Sequence, residues 1–322
     1  MEVPLIDNND WSEHYVKRGD PSKPTYYIIR RKWRAGGIFA YFNSVAGQIR
    51  YALSNDWIPV VDMQNYQNVF FQPEELGKEN AWEYFFQQPL RIGLEEAYSG
   101  ENIILSSTDK MFPPYARAYY YDGKSMELTE WRMLVKLGLL KIKNDIMKEI
   151  LEIQAKLFAP TDRVLGVKLR GTDYVSIRHK YHPIQPPPEY VRDVILKKVR
   201  EWKCNKIFLV TEDKNILQFF KITFGDGFGT FCVTIDKEYK NYKNEYILDD
   251  APVNRENDSF LNQKDYVTEM VILSKCNSFI TSMCNGSCAV MMLADKLFEN
   301  SMAIDLGIYG VFPVDWRKLI GK

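Results

Sequence analysis

The sequence predicts an α/β protein of two domains facing a cleft, and three observations carry that prediction. Short β-branched, apolar runs alternate with amphipathic helical stretches along most of the chain, the pattern of parallel sheets covered by helices. The 322 residues suffice for two separate cores. Pro160 ends a long helical stretch, since proline cannot continue a helix, and a cleaner alternation starts at Arg163. The boundary is placed there, giving a first α/β domain of residues 1–159 and a second domain of residues 160–322.

In the first domain the strand candidates are residues 26–31, 58–63 and 102–107. A helix over residues 38–53, entered through Gly36-Gly37, has its apolar residues at helical spacing. The aromatic-rich stretch 81–88 is read as a second helix. Residues 128–158 are strongly helical with a break near Lys143-Asn144. The lysines there (Lys136, Lys141, Lys143, Lys148 and Lys156) interleave with leucine and isoleucine, as in a helix lying on a membrane surface. Asp145, Glu149 and Glu152 offset them, so a helix packed on the domain is the better reading.

The second domain opens with a strand over residues 164–169, followed by the loop His-Pro-Ile-Gln-Pro-Pro-Pro from His182 and a helix over 189–202. A strand over 206–210 ends in Thr211-Glu212-Asp213 and leads to a helix over 216–224. A strand over 231–235 gives way to a polar loop over 236–262. Then come helix 265–275, strand 278–281, helix 287–298 and strand 302–306. Five strands alternating with helices predict one parallel sheet.

Composition excludes several classes. Lysine plus arginine (42) equals aspartate plus glutamate (42), so no overall field recruits nucleic acid or an acidic membrane. The aromatic fraction of 14% is read as core filling before sugar stacking. The odd count of five cysteines argues against a disulfide framework, and none has zinc-site spacing. Cys284 and Cys288 are read as helix-packing residues. The N-terminal stretch lacks a basic region followed by an apolar core, so no signal peptide is expected. No run approaches the roughly 20 apolar residues of a membrane span. A cytoplasmic protein is expected, with the sequons at Asn257 and Asn285 and the Arg18-Gly19-Asp20 triplet as chance matches.

The candidate site follows from the strand ends. In a parallel sheet all carboxyl ends share one edge, where open α/β folds bind ligands. The segment Gly-Val-Lys-Leu-Arg-Gly-Thr-Asp-Tyr-Val from Gly166 runs a strand into a turn. Arg170 there offers a planar donor fork suited to two phosphate oxygens. Lys168, Thr172 and Asp173 flank it. Thr211, Glu212 and Asp213 end the next strand, where an acidic side chain can accept from a base edge or ribose. Ser282, Asn285, Gly286 and Ser287 form a small polar turn opening a helix, a place for an anion on backbone N–H groups. Taken singly, each group reads as a cap, turn or ion pair; together they favour a nucleotide site.

These residues resemble the α-1,6-fucosyltransferases, including the bacterial nodulation type, and more loosely the α-1,2- and protein O-fucosyltransferases. The family motif His-x-Arg-Arg-x-Asp is matched by Lys-Leu-Arg-Gly-Thr-Asp at Lys168 to Asp173. Its apolar strand ending Ala-Thr-Asp-Asp is matched by Leu-Val-Thr-Glu-Asp at Leu209 to Asp213. Its third marker, a strand between a Leu-Ser helix end and a Ser/Thr-rich turn, is matched from Ile272, and His182-Pro183-Ile184 is similar as well. The resemblance covers about half the chain and implies a GT-B glycosyltransferase, with the second domain a Rossmann-like nucleotide-sugar-binding domain. It implies inversion, no metal and no cofactor beyond a GDP-sugar co-substrate carrying fucose or a related sugar. Arg170 would meet the β-phosphate and Asp173 would order its loop. Asp213 would lie near the guanosine, and Ser282 and Asn285 in the phosphate turn. The sequence departs from the family at Lys168 (histidine), at Gly171 (the second arginine) and at Cys284-Asn285 (a serine pair).

The expected reaction is a single displacement onto a glycan hydroxyl, in polysaccharide or lipid-linked oligosaccharide synthesis. A lipid-linked acceptor would bring the chain to a membrane surface. Asp62, Asp109 and Glu83 are the positional candidates for general base. Asp249-Asp250 is the alternative metal site, read instead as solvated loop. The rival readings are a non-catalytic nucleotide- or sugar-binding protein on the same fold and a transferase using another nucleotide sugar. A dinucleotide- or methyl-donor enzyme is disfavoured because no Gly-x-Gly-x-x-Gly opens the second domain.

Overall fold

The computed structural model describes residues 10–31, 37–66, 68, 70, 76–107, 125–225, 231–239 and 258–310. Gly36, Asp109, Asp249, Asp250 and Asn257 lie outside the described residues. The chain divides into two compact units, Met1–Tyr115 with Glu130–Met147, and Ala116–Thr129 with Lys148–Lys322.

The first unit has a four-stranded sheet of β1 (His14–Arg18), β2 (Thr25–Ile29), β3 (Ile58–Val61) and β4 (Asn102–Leu105), in the order β1-β4-β2-β3. β2 is parallel to both neighbours, with Ile28 opposite Val60 and Leu105. Their continuous apolar runs suit strands buried on both faces. The antiparallel edge strand β1 was not foreseen, because His-Tyr-Val-Lys-Arg is too polar to signal a strand. Helix α1 (Ile38–Ser54) makes the crossover from β2 to β3 and buries Phe39, Phe42, Val45, Ala46 and Ile49. A short helix α2 (Leu94–Ser99) precedes β4 and adds Ala97 to the core with Ile28, Val60 and Leu105.

The expected helix over 81–88 is instead one 3-10 turn, Ala81–Tyr84. Asn80 caps it by accepting from Trp82 N, and Phe86 leaves it to bridge Ile142. Trp82 and Phe86 stack at 4.4 Å, so aromatic packing rather than helix periodicity set this composition. The long helical stretch is broken before Asn144 as expected, but by a wider gap, residues 137–143 separating α3 (Met126–Lys136) from α4 (Asn144–Leu157). Gly138 at φ +76 ends α3, with Gly138 N donating to Val135 O and Leu139 N to Leu134 O. That is a Schellman stop, which glycine adopts without strain.

The second unit has five parallel strands: β5 (Val164–Lys168), β6 (Lys206–Val210), β7 (Phe231–Val233), β8 (Ser278–Ser282) and β9 (Asn300–Ile304). Their order is β7-β6-β5-β8-β9. The chain winds outward from β5 to β7, then returns to the other side of β5, so the topological switch lies between β5 and β8. Ligands of doubly wound sheets bind outside the strand ends at such a switch. A one-turn helix α5 (Thr172–Ser176) follows β5, and α6 (Pro188–Glu201), α7 (Lys214–Gly225), α8 (Asp258–Ser274) and α9 (Asn285–Leu293) cover the sheet.

α6 starts with proline at its first turn, where the missing N–H has no cost. It packs Val191, Ile195 and Val199, one helical face, on Leu165, Val167, Ile207 and Leu209. α8 begins seven residues before the expected start at Asp265. Its first turns carry Asp258, Asn262 and Gln263, which hide the apolar period. α9 starts at Asn285 and ends at Leu293, short of the expected Phe298. Among the described residues, no helix is long and apolar enough to cross a membrane. None of the five cysteines is in a disulfide, and Cys284 and Cys288 are buried.

Candidate functional site

The site is built at the switch between β5 and β8. After Lys168, Leu169 N still donates to Val210 O (3.0 Å), and then the chain turns away. Arg170 N donates to Ser282 Oγ (3.4 Å), tying the end of β5 to the end of β8. Gly171 N donates to Glu212 Oε1 (2.8 Å), tying it to the segment after β6. A Cβ on Gly171 would stand 2.5 Å from Asp213 Oδ2, so only glycine fits here. Thr172 has φ +43, an unfavourable left-handed conformation for a β-branched residue. Such strain, on the order of 1–3 kcal/mol, persists only when neighbours over-determine it. Here Thr172 N donates to Asp213 Oδ2 (3.3 Å) and its hydroxyl to Asp173 Oδ1 (3.0 Å).

Four charges alternate through this turn. Lys168, 1% exposed, pairs with Glu212 Oε2 at 3.2 Å and also donates to Leu169 O. Glu212 Oε1 lies 3.3 Å from Arg170 Nε, an ion pair without hydrogen-bond geometry. Arg170 Nη2 donates to Asp173 Oδ1 at 3.0 Å. The guanidinium lies 4.4 Å from the Tyr174 ring centre, a cation–π contact. Burial pushes the Glu212 carboxyl up, but Arg170 and then Lys168 outweigh it and hold it at about 2. Burial also opposes the Arg170 charge, yet Glu212, Tyr174 and Asp173 keep its pKa well above the ordinary value. Both carboxylates meet Nε or Nη2, and the side chain is 16% exposed. The Nη1 donors take no part in either pair, which leaves them for a ligand.

At the end of β8 the polar turn is held from within. The Ser287 hydroxyl donates to Ser282 O (2.8 Å), lies 2.5 Å from Thr281 Oγ1 and 3.1 Å from Cys284 Sγ, and is fully buried. Cys284 is the N-cap of α9, and no side chain caps the helix. Asn285 and Gly286 open its first turn. Tyr266 on α8 approaches so closely that a Cβ on Gly286 would collide with its hydroxyl. The two tyrosines thus flank Arg170: Tyr174 beneath the guanidinium and Tyr266 between Lys168 and α9, its ring centre 5.7 Å from Lys168 Nζ.

Among the residues anticipated from sequence, the fold gathers Lys168, Arg170, Thr172, Asp173, Glu212 and Ser282 at one strand edge. Thr211, 1% exposed, accepts from Asp213 N through its hydroxyl. Asp213 serves as a cap, Oδ1 accepting from Asn215 N and Ile216 N of α7. The His182 ring lies tilted against Tyr174 and His179, with ring centres 5.1 Å and 5.3 Å away. Burial and the neighbouring His179 lower its pKa. Gln185 Nε2 donates to Met283 O, anchoring that loop at the β8 end. Behind the site, Lys237 pairs with Glu269 at 2.6 Å, both largely buried.

Sequence reasoning missed Tyr174, Tyr266 and the Lys237–Glu269 pair. Glu269 carried a signal, standing alone in an otherwise apolar segment of α8, and Tyr174 directly follows the motif aspartate. In the first unit, Asp62 is fully buried. Its Oδ1 accepts from Gln64 N and Asn65 N, and its Oδ2 from Asn65 Nδ2 and Tyr98 Oη. That places Asp62 as a turn former after β3. Glu83 lines an open recess of the same unit.

No family model matches the chain, and no curated protein matches it. Solved structures do. NodZ α-1,6-fucosyltransferase co-crystallized with GDP is 15% identical over 88% of this chain and 96% of that one, with a TM-score of 0.52. The same enzyme soaked with GDP-fucose gives 16% identity, 89% and 97% coverage, and a TM-score of 0.50. POFUT1 in complex with GDP gives 12%, 89%, 74% and 0.41. The two NodZ likenesses show the fold: the chain has the α/β architecture of a GT-B glycosyltransferase.

Proposed function

We propose that the chain is a glycosyltransferase that moves fucose or a closely related sugar from a GDP-sugar to a hydroxyl of a glycan. The observation that carries this reading is Arg170. Its charge is held at the topological switch of the sheet by Asp173, Glu212 and Tyr174, while its Nη1 donors stay open. The NodZ structures, one with GDP and one soaked with GDP-fucose, lend support to GDP as the nucleotide.

In the proposed reaction the acceptor hydroxyl attacks the anomeric carbon from the face opposite the leaving group. The bond from that carbon to the β-phosphate oxygen breaks, its electron pair staying on the phosphate, and the hydroxyl proton passes to a base. Inversion follows from the single displacement. Negative charge grows on the departing diphosphate, and donors fixed beforehand at that place act where it develops. Arg170 and the uncapped first turn of α9 would supply them without a metal. Residues 160–322 would take the donor and residues 1–159 the acceptor. We place the reaction on a glycan or lipid-linked precursor in the cytoplasm.

The test is GDP release from GDP-fucose by the full chain, with GDP-mannose and UDP-sugars beside it. GDP-fucose turnover that survives excess EDTA is expected, as is an α-linked fucosyl product from the β-linked donor. Stabilisation by GDP in a thermal-shift panel, with none by UDP, would support the base assignment. No turnover of any nucleotide sugar, and no binding of GDP, would contradict the reading.

A further inference from the structure

The first unit holds an open recess of about 440 Å³, a size suited to a small molecule. It lies at the carboxyl end of β3. There Asn80 accepts from Met63 N (3.1 Å) and donates to Val61 O (2.8 Å), so the recess wall is pinned to the strand. Ligands of open α/β sheets sit at this edge.

Its lining joins one aromatic ring, Tyr84, to side chains that take up hydroxyl hydrogens. Glu83 is the best oriented of these. The buried amides of Asn80 and Gln88 donate to its Oε1 at 3.3 Å and 2.9 Å. Both bonds fall on one oxygen, so Oε2 keeps its lone pairs for a ligand. Gln64 is held similarly, its Nε2 donating to Gly77 O (3.0 Å), which leaves the amide oxygen as an acceptor. Glu79, Glu83 and Glu95 face a single cation, Lys78, a balance that repels phosphates and uronates.

We propose that this recess binds a pyranose ring of the acceptor, neutral or amine-bearing, with Glu83 and Gln64 accepting from its hydroxyls and Tyr84 stacking on its face. The inference rests on the transferase reading, which assigns the acceptor to residues 1–159 but names no side chain that meets it.

Saturation-transfer NMR on the full chain tests it, with methyl pyranosides of glucose, galactose, glucosamine and glucuronic acid as probes. Transfer is expected to the neutral and amine-bearing rings and not to the glucuronide. Tyr84→Ala and Glu83→Gln should each weaken binding by about tenfold. The double variant Glu79→Gln/Glu95→Gln, at exposed positions, should admit the glucuronide. Equal binding of glucoside and glucuronide by the unaltered chain would overturn the proposal, as would unchanged binding in both single variants.

GDP affinity, measured on the same samples, separates the two readings. Pyranoside selection without any GDP binding would leave the recess standing and remove the transferase. GDP binding without pyranoside binding would do the reverse.

Discussion

Lys168 and Glu212 form an ion pair at 3.2 Å across the ends of adjacent strands β5 and β6, with Lys168 1% exposed and Glu212 14%. A pair so buried survives only when further bonds satisfy both partners. Here Lys168 also donates to Leu169 O, and Glu212 also accepts from Gly171 N and faces Arg170. The pair therefore anchors the arginine turn to the next strand.

Lys168→Met keeps most of the volume and removes the charge. Breaking a buried pair typically costs about 3–5 kcal/mol, and Arg170 remains beside Glu212, so a loss near the lower end is expected in urea unfolding. The loss in Lys168→Met/Glu212→Gln should be smaller than the sum of the single losses. Strict additivity would show that the two side chains do not depend on each other.

Glu212 sets an acid limit. Its carboxyl lies at about 2 against an ordinary 4.5, because Arg170 and Lys168 outweigh the burial that pushes it up. The folded state thus favours the carboxylate, and the stabilisation is complete above pH 4.5. It is lost as pH falls from 4.5 through about 2, and amounts to about 3 kcal/mol. Urea midpoints followed from pH 6 downward should show this loss in the unaltered chain and a shallower one in Glu212→Gln.

Gly171→Ala tests the close approach of the turn to α7. The added Cβ would meet Asp213 Oδ2 at 2.5 Å and Asp213 Cβ at 2.7 Å. Displacing Asp213 removes its cap on Asn215 N and its bond from Thr172 N. A loss of about 1–3 kcal/mol is expected from the overpacking. In an Asp213→Ala background, which itself forfeits a cap worth about 1 kcal/mol, the same change should cost much less. Equal losses in both backgrounds would count against the contact.

The strand ends of the second unit were legible because Val-Leu-Gly-Val-Lys, Lys-Ile-Phe-Leu-Val and Ser-Phe-Ile-Thr-Ser are short runs with apolar centres, each followed within three residues by a polar one: Arg170, Thr211 and Asn285. Their alternation with helices implies parallel pairing, and that brings Arg170, Glu212 and Ser282 to one edge. What charge pairing conceals was not legible. α8 was foreseen only from Asp265 because Asp258, Asn262 and Gln263 interrupt the apolar period of its first turns. The turn at 81–84 was taken for a longer helix because stacked aromatics carry no periodic signal of their own. Tyr266 lies more than 90 residues from Arg170 in sequence, and only the packing of α8 beside α9 brings it to the site. Asp213 illustrates the converse: its place after β6 was foreseen, but its capping bonds to α7 are visible only in three dimensions.

The most direct test of Arg170 is donor turnover by Arg170→Lys, which keeps a cation between Asp173 and Glu212 but loses the fork. The measured quantity is kcat for GDP release from GDP-fucose in excess EDTA, beside the unaltered chain. A fall of about a hundredfold to a thousandfold is predicted, the usual effect of losing one fixed donor to a developing charge. Turnover near that of the unaltered chain would contradict the placement of the diphosphate on Arg170.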